Sequence, residues 1–274
     1  MLYVLGEAWW ALDAAGPLEK ADAFTPRLSG SAALLAEAFA ARGGPCALLS
    51  QLGDDPFGHR LAAALANAGV DISHLCFTPA ACTPLVFAGG GDLLPCRSPS
   101  AELLYAPEQL PPRLFAPQDA LAFSSACLVD SPMRHAHLAA LAAARDAGAL
   151  VCFLPCLRPA LWPGAEAMAE TVRLFLPRAD VVVLAEQELP PLFRTDAPRA
   201  ALWHLLRGHT RLVVLAGAEG VHAFTRERLA FRPGPCPGTE TLAAGVLRRL
   251  SALGQARQAL PKLTQAQLDA LLSF

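Results

Sequence analysis

The chain has 274 residues, of which 54% are hydrophobic and 17% charged. That composition excludes an intrinsically disordered chain. The formal net charge of −2 argues against a basic nucleic-acid face. The length suits one large domain, and abundant Ala and Leu with few aromatics suit a helix-rich α/β core.

The elements alternate along the chain. Residues 2–6 (LYVLG) read as a short buried strand, 31–42 as a helix stopped by Gly43-Gly44-Pro45, and 46–50 as a second strand. A helix follows over 58–68, ended by Gly69. Further on come strands at 121–126, 149–155, 180–185 and within 211–220, separated by helices over 134–147, 164–175 and 198–207. Short apolar runs alternating with helices predict βαβ units: a doubly wound, mostly parallel sheet with helices on both faces. Two stretches break the rhythm. Residues 11–28 are polar and proline-marked, and 77–105 read as a hairpin around Gly89-Gly90-Gly91. Both are expected to form a small β appendage of a single domain spanning 1–274.

Eight cysteines are scattered at Cys46, Cys76, Cys82, Cys96, Cys127, Cys152, Cys156 and Cys236. Cys152 and Cys156 lack the C-x-x-C spacing of a redox or zinc knuckle, so small buried hydrophobes in a reducing cytoplasm are expected. Met1 runs straight into an apolar segment with no basic region before it, and no secretory leader is expected. No apolar run reaches the ~18 residues of a membrane helix. His135 and His137, two apart on a helix, point to different faces and do not form a metal pair. There is no Walker A sequence and no G-x-G-x-x-G. Lys and Arg form no stripe with aromatics, so neither nucleic acid nor membrane is an expected partner.

Three segments carry a family resemblance: Gly53-Asp54-Asp55-Pro56-Phe57-Gly58, Arg158-Pro159-Ala160-Leu161-Trp162-Pro163, and the run from RLVVLAGAEG to PGTETLAAGVL. In that order and spacing they resemble the ribokinase-like (phosphofructokinase B) carbohydrate kinases, most closely the bacterial fructokinases. The resemblance implies a doubly wound α/β domain with a small β lid (segments near 11–28 and 77–105) over the sugar. It implies ATP and Mg²⁺ as cosubstrate and metal, phosphoryl transfer to a hydroxyl of a sugar or related small alcohol, and a homodimer formed through the lid. Phosphoryl transfer rests on positioning and charge stabilisation, which a helix N-terminus can supply.

Residue by residue, the resemblance places the catalytic base at Glu240, where the family has Asp, and the anion hole at Gly238 and Thr239. A Glu can accept a proton but is one methylene longer; Pro237 has no N–H to give. A bland alternative is that Thr239 and Glu240 only cap a helix. Substrate-binding positions fall on Arg158, on Arg97 and near Asp13, while the family's early Asp itself falls on Ala11. Paired glycines fall on Ser29-Gly30, the Asn after them on Leu34, and a D-P-N element on Leu154-Pro155-Cys156. Each change removes a hydrogen-bonding group. The family's N-x-x-E falls on Ala185-Glu186-Gln187-Glu188, which assigns Glu188 to Mg²⁺ and its waters. Gly217 and Gly220 keep a G-x-x-G turn at the nucleotide end. Members usually continue beyond the position of Phe274 with a helix closing the adenine pocket, so that pocket is expected to be open or differently closed. Two functions stay open on these residues: a sugar kinase using Glu240 as base, and a catalytically inactive kinase-fold module that binds a ligand or regulates.

Overall fold

The structure, a computed structural model, describes residues 1–193 and 198–273. Among them, two sheets form. The larger has nine strands. Within it β1 (Leu2–Leu5) lies parallel between β4 (Cys46–Gly53) and β8 (Ala120–Ser124). The smaller contains β2 (Trp9–Asp13), β3 (Thr25–Ser29), β6 (Leu85–Gly89) and β7 (Asp92–Cys96) in the order β3-β2-β6-β7. The large sheet continues outward through β5 (Leu75–Thr78) on one side. On the other side run β9 (Leu150–Leu154), β10 (Val181–Ala185) and β11 (Leu212–Ala216), all parallel. The edge is a departure from the parallel pattern. Residues 220–233, not read as strands from the sequence, form an antiparallel hairpin of β12 (Gly220–Phe224) and β13 (Leu229–Pro233). An edge needs only one buried face, so its apolar residues are too sparse to stand out in the sequence.

Alternation within the strands explains why both faces carry helices. Val4 and Leu48 pack into one core, while their neighbours Leu5 and Leu49 pack into the other. The first core is closed by α1 (Ser31–Ala40), α2 (Pro56–Asn67), α7 (Thr239–Ser251), α8 (Ala256–Ala259) and α9 (Gln265–Leu271), and the second by α3 (Pro132–Asp146), α4 (Ala165–Phe175), α5 (Leu189–Phe193) and α6 (Pro198–Arg207). Helix α2 begins two residues earlier than its apolar pattern suggests. Asp55 accepts from the Gly58 amide at 2.8 Å and Pro56 occupies the first turn, where its missing N–H costs nothing.

In the small sheet, β6 and β7 are joined through Gly90 and Gly91, both at positive φ (63° and 95°). Such a turn matches the twist of a two-stranded hairpin, which is why the glycines announce it. The sheet is pinned to the body just beyond β7. Arg97 is 5% exposed, donates to Glu102 at 3.0 Å and to the Ala126 carbonyl at 2.9 Å, and lies over the Trp9 ring at 5.4 Å. No helix among the described residues is long and apolar enough to cross a membrane.

Candidate active site

The polar residues gather at the carboxyl ends of the parallel strands, where open α/β sheets hold their ligands. Glu7 follows β1, Ser124 ends β8, Arg158 follows β9, Glu186 and Glu188 follow β10, and Gly217 follows β11. Helix α7 points its N-terminus into the same region. Gly238 is its N-cap and offers no side chain, and no side-chain hydrogen bond caps the helix. The first amides of α7 therefore lack an intrahelical acceptor, and the helix dipole favours an anion there.

Glu240, in that first turn, is held rather than free to swing. Ser31 Oγ donates to its Oε1 at 2.8 Å, and the Cys156 thiol lies 3.8 Å from the same oxygen. Burial, and after it the charges of Glu240 and Glu188, push the Cys156 thiol well above its ordinary pKa, so it stays a neutral donor. Oε2 hangs back over the turn, 3.7 Å from the place a Cβ on Gly238 would occupy. Ser31 is fixed in turn by Glu7, whose Oε1 accepts from the Ser31 amide at 2.8 Å and whose two oxygens accept from Ser124 Oγ. Glu7 is fully buried, and burial raises its carboxyl pKa against the opposing hydrogen bonds. Gly30 makes this approach possible: at φ +98° it passes within 2.7 Å, measured from a would-be Cβ, of the Glu7 carbonyl.

Two cavities meet the head of α7. One, of about 300 Å³, lies under the small sheet and is bounded by Trp9, Ala11, Arg27, Leu34, Arg158 and Glu240 among others. The other, of about 520 Å³, is bounded by Glu186, Gly217, Pro237, Gly238 and Thr239 with their neighbours. The four-residue turn thus gives walls to both: Gly238 and Thr239 to one, Glu240 to the other. Gly217 and Gly220 exchange backbone hydrogen bonds at 2.9 and 3.3 Å. A Cβ on Gly217 would stand 2.6 Å from the Glu186 carboxylate.

Of the residues expected from the sequence, Glu240, Gly238, Thr239, Arg158 and Gly217 line these cavities; Arg97, Asp13, Glu188 and Gly220 do not. Arg97 spends its donors on the body of the protein. Asp13 sits at the end of β2 in a bidentate pair with Arg27, at 2.8 and 3.3 Å, and Arg27 is the partner that reaches the cavity. Glu188 is buried, and its oxygens accept from the amides of Leu157 (2.6 Å) and Ala185 (2.8 Å), tying the ends of β9 and β10 together. Burial raises its carboxyl pKa. The carboxylate that borders the larger cavity is Glu186. Ser31 and Glu7 were not singled out from the sequence; a serine opening a helix reads as a routine cap, and only the fold brings it across 209 positions to Glu240.

Comparison with known proteins places the chain in a family. A model of the pfkB family carbohydrate kinases matches residues 2–245. Probable fructokinase-3 of Arabidopsis thaliana is 32% identical over 219 residues, 77% of this chain and 63% of that relative. The chain therefore aligns with somewhat less than two thirds of that protein. Fructokinase-1 of Oryza sativa subsp. japonica is 34% identical over 217 residues, covering 77% and 67% of the two chains. Among solved structures, a fructokinase from Xylella fastidiosa with bound ATP superposes with a TM-score of 0.87 at 28% identity, covering 99% of this chain and 89% of that one. A fructokinase from Vibrio cholerae O395 with fructose, ADP and calcium gives 0.82 at 27%, covering 99% and 89%.

Proposed function

Because the chain belongs to the pfkB family of carbohydrate kinases, we propose that it transfers the γ-phosphoryl of ATP to a hydroxyl of a sugar or related small alcohol, with Glu240 as general base. One observation carries this reading: the head of α7 presents bare amides to one cavity and a carboxylate to the other. A nucleotide in the larger cavity would bring its terminal phosphoryl to the amides of Gly238, Thr239 and Glu240. An alcohol in the cavity under the small sheet would place its hydroxyl beside Glu240 Oε2, the oxygen not engaged by Ser31. Removing the hydroxyl proton as the phosphoryl arrives is the work of that oxygen; the amides and the helix dipole carry the charge of the transferring group. Arg158, exposed and donating to the carbonyl of its neighbour Leu157 at 3.1 Å, can turn to the incoming charge.

Mg²⁺ is part of the proposal. A phosphate-chelated Mg²⁺ needs one or two carboxylates and otherwise keeps its waters. Glu186 borders the phosphate cavity and suits that need, whereas the amide-bound oxygens of Glu188 hold the scaffold beneath it. The metal would supply charge neutralisation on the phosphates. The small sheet is the lid of this reading, and its outward face, with Phe24 38% and Leu94 55% exposed, is the surface on which a second copy would dock. Free cysteines throughout accord with a cytoplasmic setting.

A coupled ADP-release assay over sugars, polyols and nucleosides tests the proposal. Turnover is expected on at least one alcohol, with Glu240→Gln lowering it by about 10²–10⁴-fold. Absence of ADP release across the panel, or an unimpaired Gln variant, overturns it.

A further inference from the structure

The turn that closes the edge hairpin gathers positive charge that the fold itself does not neutralise. Arg211 stands just before β11, and the β11–β12 register, in which Val213 faces Phe224, carries on to set Arg211 across from Arg226. Thr225 and Arg228 close the turn between β12 and β13. The Thr225 amide donates to the Arg228 carbonyl at 2.9 Å, and the Arg228 amide to Thr225 Oγ1 at 3.0 Å. Arg211, Arg226 and Arg228 line one cavity of about 160 Å³ together with Glu227 and the apolar Leu260 and Leu263.

Three guanidinium groups thus meet one carboxylate, a net charge of +2 on the lining. Arg226 is tied to the end of α6, donating to the carbonyls of Leu206, Arg207 (3.2 Å) and Gly208 (2.7 Å). Arg228 pairs with Glu227 at 3.2 Å, but that carboxylate is 74% exposed and water screens it. Among the described residues the half-buried Arg211 side chain has no hydrogen-bond or ion-pair partner. Asp180, whose carbonyl accepts the Arg211 amide at 2.8 Å, cannot serve as one: His209, Arg257 and the Val151 amide take its carboxylate. Like charges held together beside apolar groups repel one another, and an anion between them removes that cost. Guanidinium donors match the paired oxygens of a phosphate. The space equals roughly five waters, enough for one phosphate group.

We infer that this cavity binds a phosphate group, either free or at the end of a small phosphorylated molecule, at a site separate from the candidate active site. The five residues of β11 part Arg211 from Gly217 at the other cavity, about 17 Å at 3.3 Å per residue. The inference stands whether or not the chain is a kinase. Isothermal titration of the full chain at fixed ionic strength, with inorganic phosphate and separately with ribose 5-phosphate, tests it. Each titration is run with and without Mg²⁺ and a non-hydrolysable ATP analogue. At least one of the two ligands should bind with a Kd of about 1 mM or below, and the analogue should leave that binding in place. Arg211→Gln should weaken it about tenfold or more, and Arg228→Gln carries the same test should the first variant fold poorly. Tighter binding of ribose 5-phosphate supports the site with a phosphorylated molecule as its ligand; tighter or equal binding of inorganic phosphate supports it with the free anion. No binding of either below about 10 mM, or binding unchanged in the variants, overturns the inference. So does binding that disappears when the analogue is added, because that anion belongs to the head of α7.

Discussion

At the scale of single residues, the candidate site is a short chain of contacts running from a buried acid to a half-buried one. Glu7 holds the Ser31 amide, and the Ser31 hydroxyl holds Glu240. A glutamate has one more rotatable bond than an aspartate, and an unheld carboxylate would sample positions of which few face the acceptor. Ser31 removes that freedom. Displacing a reacting group by about 1 Å can cost about 10²-fold in rate. Ser31→Ala is therefore expected to lower kcat about tenfold with KM changed little, and Ser31→Thr to retain most of the rate. Combined with Glu240→Gln, the alanine change should have almost no further effect, because an amide that cannot take the proton gains nothing from being positioned. Steady-state kinetics on any accepted alcohol reads all three outcomes. The presence of an acid at the head of α7 could be read from PGTE and the helix that follows. Its tethering could not, because Ser31 and Glu240 become neighbours only when α1 and α7 pack together.

At the scale of elements, the small sheet is tied to the body by a buried ion pair just beyond β7. Arg97 sits between that sheet and the body, paired with the fully buried Glu102 at 3.0 Å. Burial raises the Glu102 carboxyl pKa, with the guanidinium opposing it. Removing one partner of such a pair strands the other without water. Arg97→Ala should destabilise the fold by about 3–5 kcal/mol, measured by urea unfolding; a loss under about 1 kcal/mol would show the pair to be dispensable. Most strand and helix positions of the parallel core were legible because the buried strands are largely apolar runs; β5, with no residue fully buried, was not read. The small sheet was legible as an appendage built from residues 11–28 and 77–105, and strand by strand only around Gly90-Gly91. Trp9–Asp13 is apolar over its first four residues, but the run is short and follows β1 after three residues, and Thr25–Ser29 is exposed or half-buried along its length, so neither strand stood out by itself.

At the scale of the whole molecule, a buried histidine sets how the fold responds to acid. His137 on α3 donates through Nδ1 to the Met133 carbonyl at 2.8 Å and packs edge-on to Phe123. Burial lowers its pKa from the ordinary 6.5 to about 4. Between those values the unfolded chain binds a proton that the folded chain refuses, so stability falls as pH drops from about 6.5 toward 4. The loss between pH 7 and pH 5 should be about 2 kcal/mol from this residue, and His137→Phe should flatten the urea-unfolding free energy over that range by a similar amount. An unchanged slope would place the acid sensitivity elsewhere. The amino-acid sequence by itself determined the layered α/β architecture, since apolar period and helix stops are local properties of the chain. It also placed glycine, threonine and glutamate at the start of a helix, since such a start is read without a fold. The tertiary structure alone decided which polar side chains reach the cavities: Arg27 and Glu186 do, while Arg97, Asp13 and Glu188 are spent on the protein's own groups. The physical reason is that a hydrogen bond to a distant partner leaves no trace in local spacing; only packing brings the two groups within 3 Å or so.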